Sequence, residues 1–398
     1  MDRNLLACYA DLIVSVGANV QEGQVVSVEA VPEARPLVVA IAERAYEVGA
    51  RYVDVQYFEP LAKRARVVQA PADTLEWVPP WLGRRLLDLG ALDAARILLD
   101  PRVPPNLLAD VDPARASRER LPRLEESTRL IDERSVAWTL SACPTAEWAR
   151  LVYPDVDADA AVDALWQDIA YVCRLDEPDP AAAWRARIDD IWESARRLDE
   201  LGLDALHFEG PGTDLTVGLL PSSRFAKEAG AAQTRTGIRH VPNLPTEEVF
   251  TTPDPERTHG VVAATKPLDL DGTVIDTFSV RFEHGRAVEI DAEPLAALAA
   301  VDDGAARLGE VALVDNASRI GRLGRTFYST LLDENAASHV ALGNAYISPV
   351  SDDADRARVN KSSVHIDFMI GSPEVSVTGT TTSGEHIPLL AGGEWQLP

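Results

Sequence analysis

The residues able to do chemistry are carboxylates and imidazoles, and they come in short words. The first word is LLDENAASHVALGNAY, residues 331–346, which sets Asp333, Glu334, His339 and Tyr346 among Ala336, Ala337, Ser338, Ala341, Gly343 and Ala345. Such a run has too little bulk to fill a core and leaves room around ligand-type side chains. Read as a helix, it turns Glu334 and His339 roughly 140° apart and nearly eclipses His339 with Tyr346. For Glu334 and His339 to hold one ion, Glu334 must then stand at or before the helix start, with Asp333 near the N-cap. Taken alone, the word reads more plainly as a capped helix with an incidental histidine.

Other words change that reading. In SSVHIDFMIG, His365 and Asp367 alternate with Val364, Ile366, Phe368 and Ile370. A period of two places the histidine and the aspartate on the strand face opposite the apolar residues, as a compact chelate or as an ordinary exposed face. LGEVALV carries Glu310 near the head of an apolar strand, and PTEEVFTTP sets Glu247 and Glu248 beside Val249 and Phe250. Buried carboxylates need a partner or a cation. Here they accumulate with only Arg319, Arg322 and Arg325 following Glu310 closely.

These words resemble the aminopeptidase T / aminopeptidase S family of metallo-aminopeptidases. The matching stretches are GPGTDLTVGL (210–219), NLPTEEVFTTP (243–253), GEVALV (309–314), residues 331–346 and HIDFMIG (365–371). The N-terminal stretches YADLIVSVGANVQEGQVV (9–26) and AYEVGARYVDV (45–55) fit as well, so the resemblance runs over nearly the whole chain. It implies removal of N-terminal residues from peptides, a two-metal site, and a homodimer with the active site in an internal cavity. Carried over residue by residue, the implied ligands are Glu248, Glu310, Glu334, His339, His365 and Asp367, with Glu310 as the bridge. Tyr346 is the implied oxyanion donor, or else a packing tyrosine. Glu247 is the candidate base or ammonium anchor.

Metal chemistry is consistent with that set. Carboxylates and imidazoles without thiolate suit two divalent ions per chain, Zn²⁺, Co²⁺ or Mn²⁺. Six side chains exceed what one tetrahedral ion needs but serve two ions about 3.5–4 Å apart that share a carboxylate and activate a water. Two other classes stay open. His339, His365 and Asp367 alone would make the triad of a mononuclear non-haem iron ring-cleaving dioxygenase. A non-enzymatic peptide-binding protein with a structural metal is the third possibility.

The elements that must position these residues follow from patterning. The chain has 398 residues, enough for two cores. From residue 4 to about 100 helices alternate with strands (VVSVEA, YVDVQYF, ARILLD), which predicts a doubly wound parallel sheet. No GxxxxGK or GxGxxG word occurs in its loops. Residues 101–135 are charged and punctuated by proline, as solvated helix and loop are. A long helix over 181–201 then gives way to β-patterns and turn glycines. The expected fold is therefore α/β, with a scaffold domain over 1–200 and a β-rich, metal-binding catalytic domain of α+β character over 201–398. There DALHFEGPGTDLTVGLLP predicts two strands joined by a turn. Its His207 and Glu209 form a decoy metal pair, and His240, His259, His284 and His386 stand isolated.

A net charge of −25 argues against nucleic acid and anionic membrane surfaces as partners. No apolar run approaches the ~20 residues of a membrane span. Three cysteines, Cys8, Cys143 and Cys173, lack C-x-x-C spacing and fit a reducing cytoplasm.

Overall fold

The computed structural model describes residues 3–100, 103–119, 121–122, 124–225, 229–270 and 272–397. Within the 101–135 stretch, residues 101–102, 120 and 123 therefore lie outside the description. The chain divides into two compact units. The first comprises Met1–Arg187, Ala231–Thr246 and Asp271–Thr273, and the second the remaining segments. The boundary expected near residue 200 compares with a division between Arg187 and Ile188, inside the helix Pro180–Glu200.

The first unit is built on a five-stranded parallel sheet in the order Tyr52–Tyr57, Val25–Ala30, Ala95–Asp100, Ala137–Ala142, Asn243–Leu244. After Val25–Ala30 the chain runs outward to one edge, then returns past its own first strand to the other side. Right-handed crossovers then require the helices Arg35–Glu47 and Pro80–Ala91 to cover opposite faces. The strand Ala95–Asp100 is buried along nearly all its length, as a central parallel strand must be.

Among the described residues of the second unit, all strands pair antiparallel. An eight-stranded sheet has the hairpin Leu203–Gly210 and Thr213–Leu219 at its centre and Glu394–Trp395 at one edge. A separate four-stranded sheet carries the site. Its strands are β1 (Glu248–Thr251), β2 (Leu308–Val314), β3 (His339–Gly343) and β4 (His365–Met369), side by side in that order. One face of this sheet presents Val249, Val311, Leu313, Val340, Leu342, Ile366 and Phe368 to the unit's core, where all are buried. The alternate residues face the other way.

The helix expected over 331–346 does not form. A single short helix, α1 (Thr330–Glu334), ends at Glu334, and from His339 onward the chain is strand β3. Asp333 accordingly lies in the last turn of α1, whose N-cap is Ser329. Small residues and Val340 gave the stretch no strong period of its own, and pairing with strands on both sides decided it.

Candidate metal centre

Cross-strand register explains how the site assembles. Directly paired residues share a face, so the non-core face can be read across the sheet. Ala312 of β2 opposes Phe250 of β1 and His339 of β3, and Ala341 of β3 opposes Glu310 and Asp367. Gly343 opposes His365. The small residues thus sit between the polar ones, and their lack of bulk is the space in which the carboxylates and imidazoles meet. Gly343 has a further duty, because its φ is +102° and a Cβ there would lie 2.1 Å from the Val364 carbonyl oxygen.

Two groups of ligand atoms converge on this face. One holds Glu248, Glu310 and His339, the other Glu310, His365 and Asp367, each with its atoms within 4.8 Å of one another. Glu310 belongs to both. His339 Nε2 lies 3.0 Å from Glu248 Oε2 and 3.7 Å from Glu310 Oε1. His365 Nε2 lies 3.4 Å from the other Glu310 oxygen and 3.3 Å from Asp367 Oδ1. Both rings are turned by their second nitrogens. Nδ1 of His339 faces the Ala337 carbonyl at 3.2 Å, and Nδ1 of His365 faces the Asn344 carbonyl at 2.7 Å. A protonated Nδ1 donating to a carbonyl leaves Nε2 as the free lone pair, the arrangement a ligating histidine needs.

The remaining expected residues are distributed as follows. Glu334, at the end of α1, is buried beside these groups. Glu247 is buried one residue before β1, outside both groups, and its N–H donates to Asn335 Oδ1 at 2.6 Å. The Tyr346 ring packs 5.3 Å from His365 and 5.7 Å from Phe250. His207 and Glu209 lie in the eight-stranded sheet, where His207 Nδ1 meets Thr216 Oγ1 at 3.1 Å, and join no ligand group among the described residues. His240 is buried against Trp138, His259 and His284 stack edge to face at the surface, and His386 meets Thr380. Sequence reasoning missed Asn335, whose Nδ2 lies 3.4 Å from Glu334 Oε1, and Lys266, whose Nζ lies 3.3 Å from Asp333 Oδ1. Asn335 had one weak signal, its place directly after the Asp-Glu pair.

The electrostatics test whether the site suits a cation. Burial pushes the Glu248 carboxyl above the ordinary range, and the charges of Glu310 and Asp367 add to this against the pull of His339. Glu334 is pushed well above its usual value, first by burial and then by Asp367 and Glu248. Burial works to lower both histidines, yet His339 is held well above its ordinary value by hydrogen bonds to Glu248 and Glu310, and His365 by Asp367 and its neighbours. Four acids and two imidazoles thus crowd one another, and protons are retained to relieve repulsion. Divalent cations do the same with more charge, and the all-oxygen-and-imidazole donor set suits them.

Comparisons with known proteins point independently to metal-dependent peptide hydrolysis. The family model described as "Thermophilic metalloprotease (M29)" matches residues 2–395. "Aminopeptidase T" of Thermus aquaticus is 40% identical, over 98% of this chain and 97% of its own length. "Aminopeptidase 2" of Geobacillus stearothermophilus is 39% identical, over 97% and 96%. A solved structure, "Wild-type AmpT from Thermus thermophilus", superposes with a TM-score of 0.88 at 38% identity, covering 99% of both chains. Its match extends to the mixed architecture, a parallel sheet first and antiparallel sheets after it. The chain belongs to the thermophilic metalloprotease (M29) family, alongside these named aminopeptidases, and is a metal-dependent hydrolase of peptide bonds.

Proposed function

We propose that the chain is an aminopeptidase that holds two divalent ions, Zn²⁺, Co²⁺ or Mn²⁺, and removes N-terminal residues from peptides. The observation that carries the two-ion reading is the membership of Glu310 in both ligand groups. Glu248 and His339 would complete one site, His365 and Asp367 the other, with Glu334 adding a carboxylate beside them. Ions bound there supply Lewis acidity to a water and to the scissile carbonyl.

The chain's own residues supply the rest. The Ala337 and Asn344 carbonyls fix the two imidazoles so that Nε2 faces the site. Burial raises the Tyr346 phenol above its ordinary value, so it keeps its proton at neutral pH. It can therefore donate a hydrogen bond to the oxyanion that develops on the attacked carbonyl. Glu247, in this reading, anchors the substrate α-ammonium or takes a proton from the water. The dioxygenase alternative is not favoured, because His339 and His365 fall in different groups and three glutamates surround them. No helix among the described residues is long and apolar enough to cross a membrane, the cysteines are free thiols, and the cytoplasmic homodimer stays part of the proposal.

The test is ion counting together with substrate selectivity. The purified protein should bind two divalent ions per chain and hydrolyse amino-acid p-nitroanilides, with activity abolished by chelation and absent on N-acetylated substrates. Full activity in thorough chelator, or equal cleavage of acetylated peptides, overturns the reading. Light scattering at micromolar concentration should give twice the chain mass.

A further inference from the structure

Glu334 differs from the other expected ligands in one respect. Glu248, Glu310, His339, His365 and Asp367 all project from the paired strands of one sheet, whose ladders fix them. Glu334 instead closes a five-residue helix that belongs to no sheet. A carboxylate on so short a helix is held only as well as its neighbours are held.

Both neighbours are completely buried polar residues, Asp333 and Asn335. Asn335 Oδ1 accepts the Glu247 N–H at 2.6 Å, at the head of β1, while its Nδ2 donates to the Leu331 carbonyl at 2.8 Å inside α1. Nδ2 also lies 3.4 Å from Glu334 Oε1. Asp333 reaches the other way. Its carboxylate accepts from the Phe327 N–H at 3.0 Å and stands 3.3 Å from Lys266 Nζ, which itself donates to the Arg325 carbonyl at 2.7 Å. Next to Lys266, Thr265 is fastened to the end of β4, its N–H donating to the Met369 carbonyl and its hydroxyl to the Gly371 carbonyl, both at 2.8 Å. β1 and β4 are the two edge strands of the site sheet. The helix is therefore tied to both margins of the face on which the ligands converge.

We propose that Asp333 with Lys266, and Asn335, are positioning residues that brace α1 between the two edge strands and so set where the Glu334 carboxylate meets an ion. This rests on the two-ion reading. None of the three belongs to either ligand group. Outer residues that orient a ligand ordinarily control metal affinity by a factor on the order of 10–100.

Removing Lys266 alone would strand a buried carboxylate, so the ion pair is tested as the double variant Lys266→Met/Asp333→Asn, with Asn335→Ala as an independent probe. Calorimetric titration of Zn²⁺ into the metal-free proteins reads affinity directly. Each variant should weaken one of the two ions by a factor on the order of 10–100 and leave the other within a few fold. The lost buried hydrogen bonds should lower the metal-free unfolding temperature of Asn335→Ala somewhat, while excess Zn²⁺ should restore kcat in both variants. Unchanged affinities in both variants overturn the proposal. So does equal weakening of both ions in step with a lower metal-free unfolding temperature, which marks general destabilisation. An unaltered protein that binds no divalent ion removes the two-ion reading and the brace with it; one that binds two ions while the variants match it removes the brace alone.

Discussion

Both units bury charged side chains on a sheet face, and they neutralise them differently. On the parallel sheet of the first unit, Glu29 meets the buried Arg96 at 2.8 Å, and the partly exposed Asp54 meets Arg85 at 2.7 Å. Arg85 also donates to Ser27 Oγ, and Arg96 to Ser127 Oγ, both at 3.0 Å. Acid and base arrive in equal number from neighbouring elements. On the four-stranded sheet of the second unit, Glu248, Glu310, Glu334 and Asp367 converge with the imidazoles of His339 and His365. Burial of a carboxylate is therefore not in itself a functional signal. What separates the two faces is whether the chain supplies the countercharge as a fixed guanidinium or leaves room for an ion to supply it.

The strongest way to break that comparison is Glu310→Gln, which keeps the shape and removes the shared charge. At least one ion should be lost and kcat/KM should fall by more than the factor of roughly 10²–10³ typical for one oxyanion donor. Circular dichroism should show the fold retained, and two ions bound at the original affinity would reassign the bridge.

Arg96→Met makes the converse cut. It takes from the largely buried Glu29 its nearest guanidinium and leaves Arg85 at 3.9 Å. Breaking a buried pair costs about 3–5 kcal/mol, and the nearby Arg85 argues for the lower end, about 3 kcal/mol. Denaturant unfolding should register that loss while ion stoichiometry and kcat stay unchanged. A large fall in metal content would show that the first face is not merely structural.

Tyr346→Phe sharpens the assignment within the site. The ring and its contacts with His365 and Phe250 remain, and only the hydroxyl goes. If the phenol stabilises charge that develops in the transition state, kcat should fall by a factor on the order of 10²–10³ with little change in KM. Near-normal kcat would make the tyrosine a packing residue.

The last test is the pH dependence, where the two units should differ in sign. In metal-free protein, Glu248 and Glu334 titrate above their reference 4.5 and His339 and His365 above 6.5. All four then hold protons that the unfolded chain has released, so their stabilisation is complete below those reference values and is lost as pH rises. The chelated protein should melt progressively lower from about pH 6 to pH 9, and added Zn²⁺ should raise its melting temperature most at the alkaline end. His240, in the first unit, behaves oppositely. Burial lowers it from 6.5 to about 4, so stability is present above 6.5 and is lost as pH falls, by about 3 kcal/mol at most. His240→Leu should flatten the acid limb alone. A chelated protein whose melting temperature rises with pH between 6 and 9 would contradict the crowded-acid picture.

Much of the site was legible because some signals are local. The alternation of His365 and Asp367 with Ile366 and Phe368 set both on one strand face, and β4 has that pattern. The apolar run around Glu310 announced a buried strand, and β2 is buried throughout. The strand–helix alternation before residue 100 led to the parallel sheet. In residues 331–346 the small side chains stand between the ligand-type residues, but the stretch is a short helix followed by a strand where the word alone reads as a helix. Alanine, serine and glycine carry weak or conflicting preferences, so the choice between helix and strand passed to pairing with β2 and β4.

By itself, then, the sequence determined the donor types, the strand faces of the strongly alternating words and the acidic surplus, because each depends on residues within a few positions of one another. Only the tertiary structure decided that Glu310 lies between His339 and His365, that Ala341 separates Glu310 from Asp367, and that Lys266 reaches Asp333. Those are contacts between residues far apart in the chain. They follow from strand order and register, which are set by burying the opposite face of the sheet in the core and not by any property of the ligands themselves.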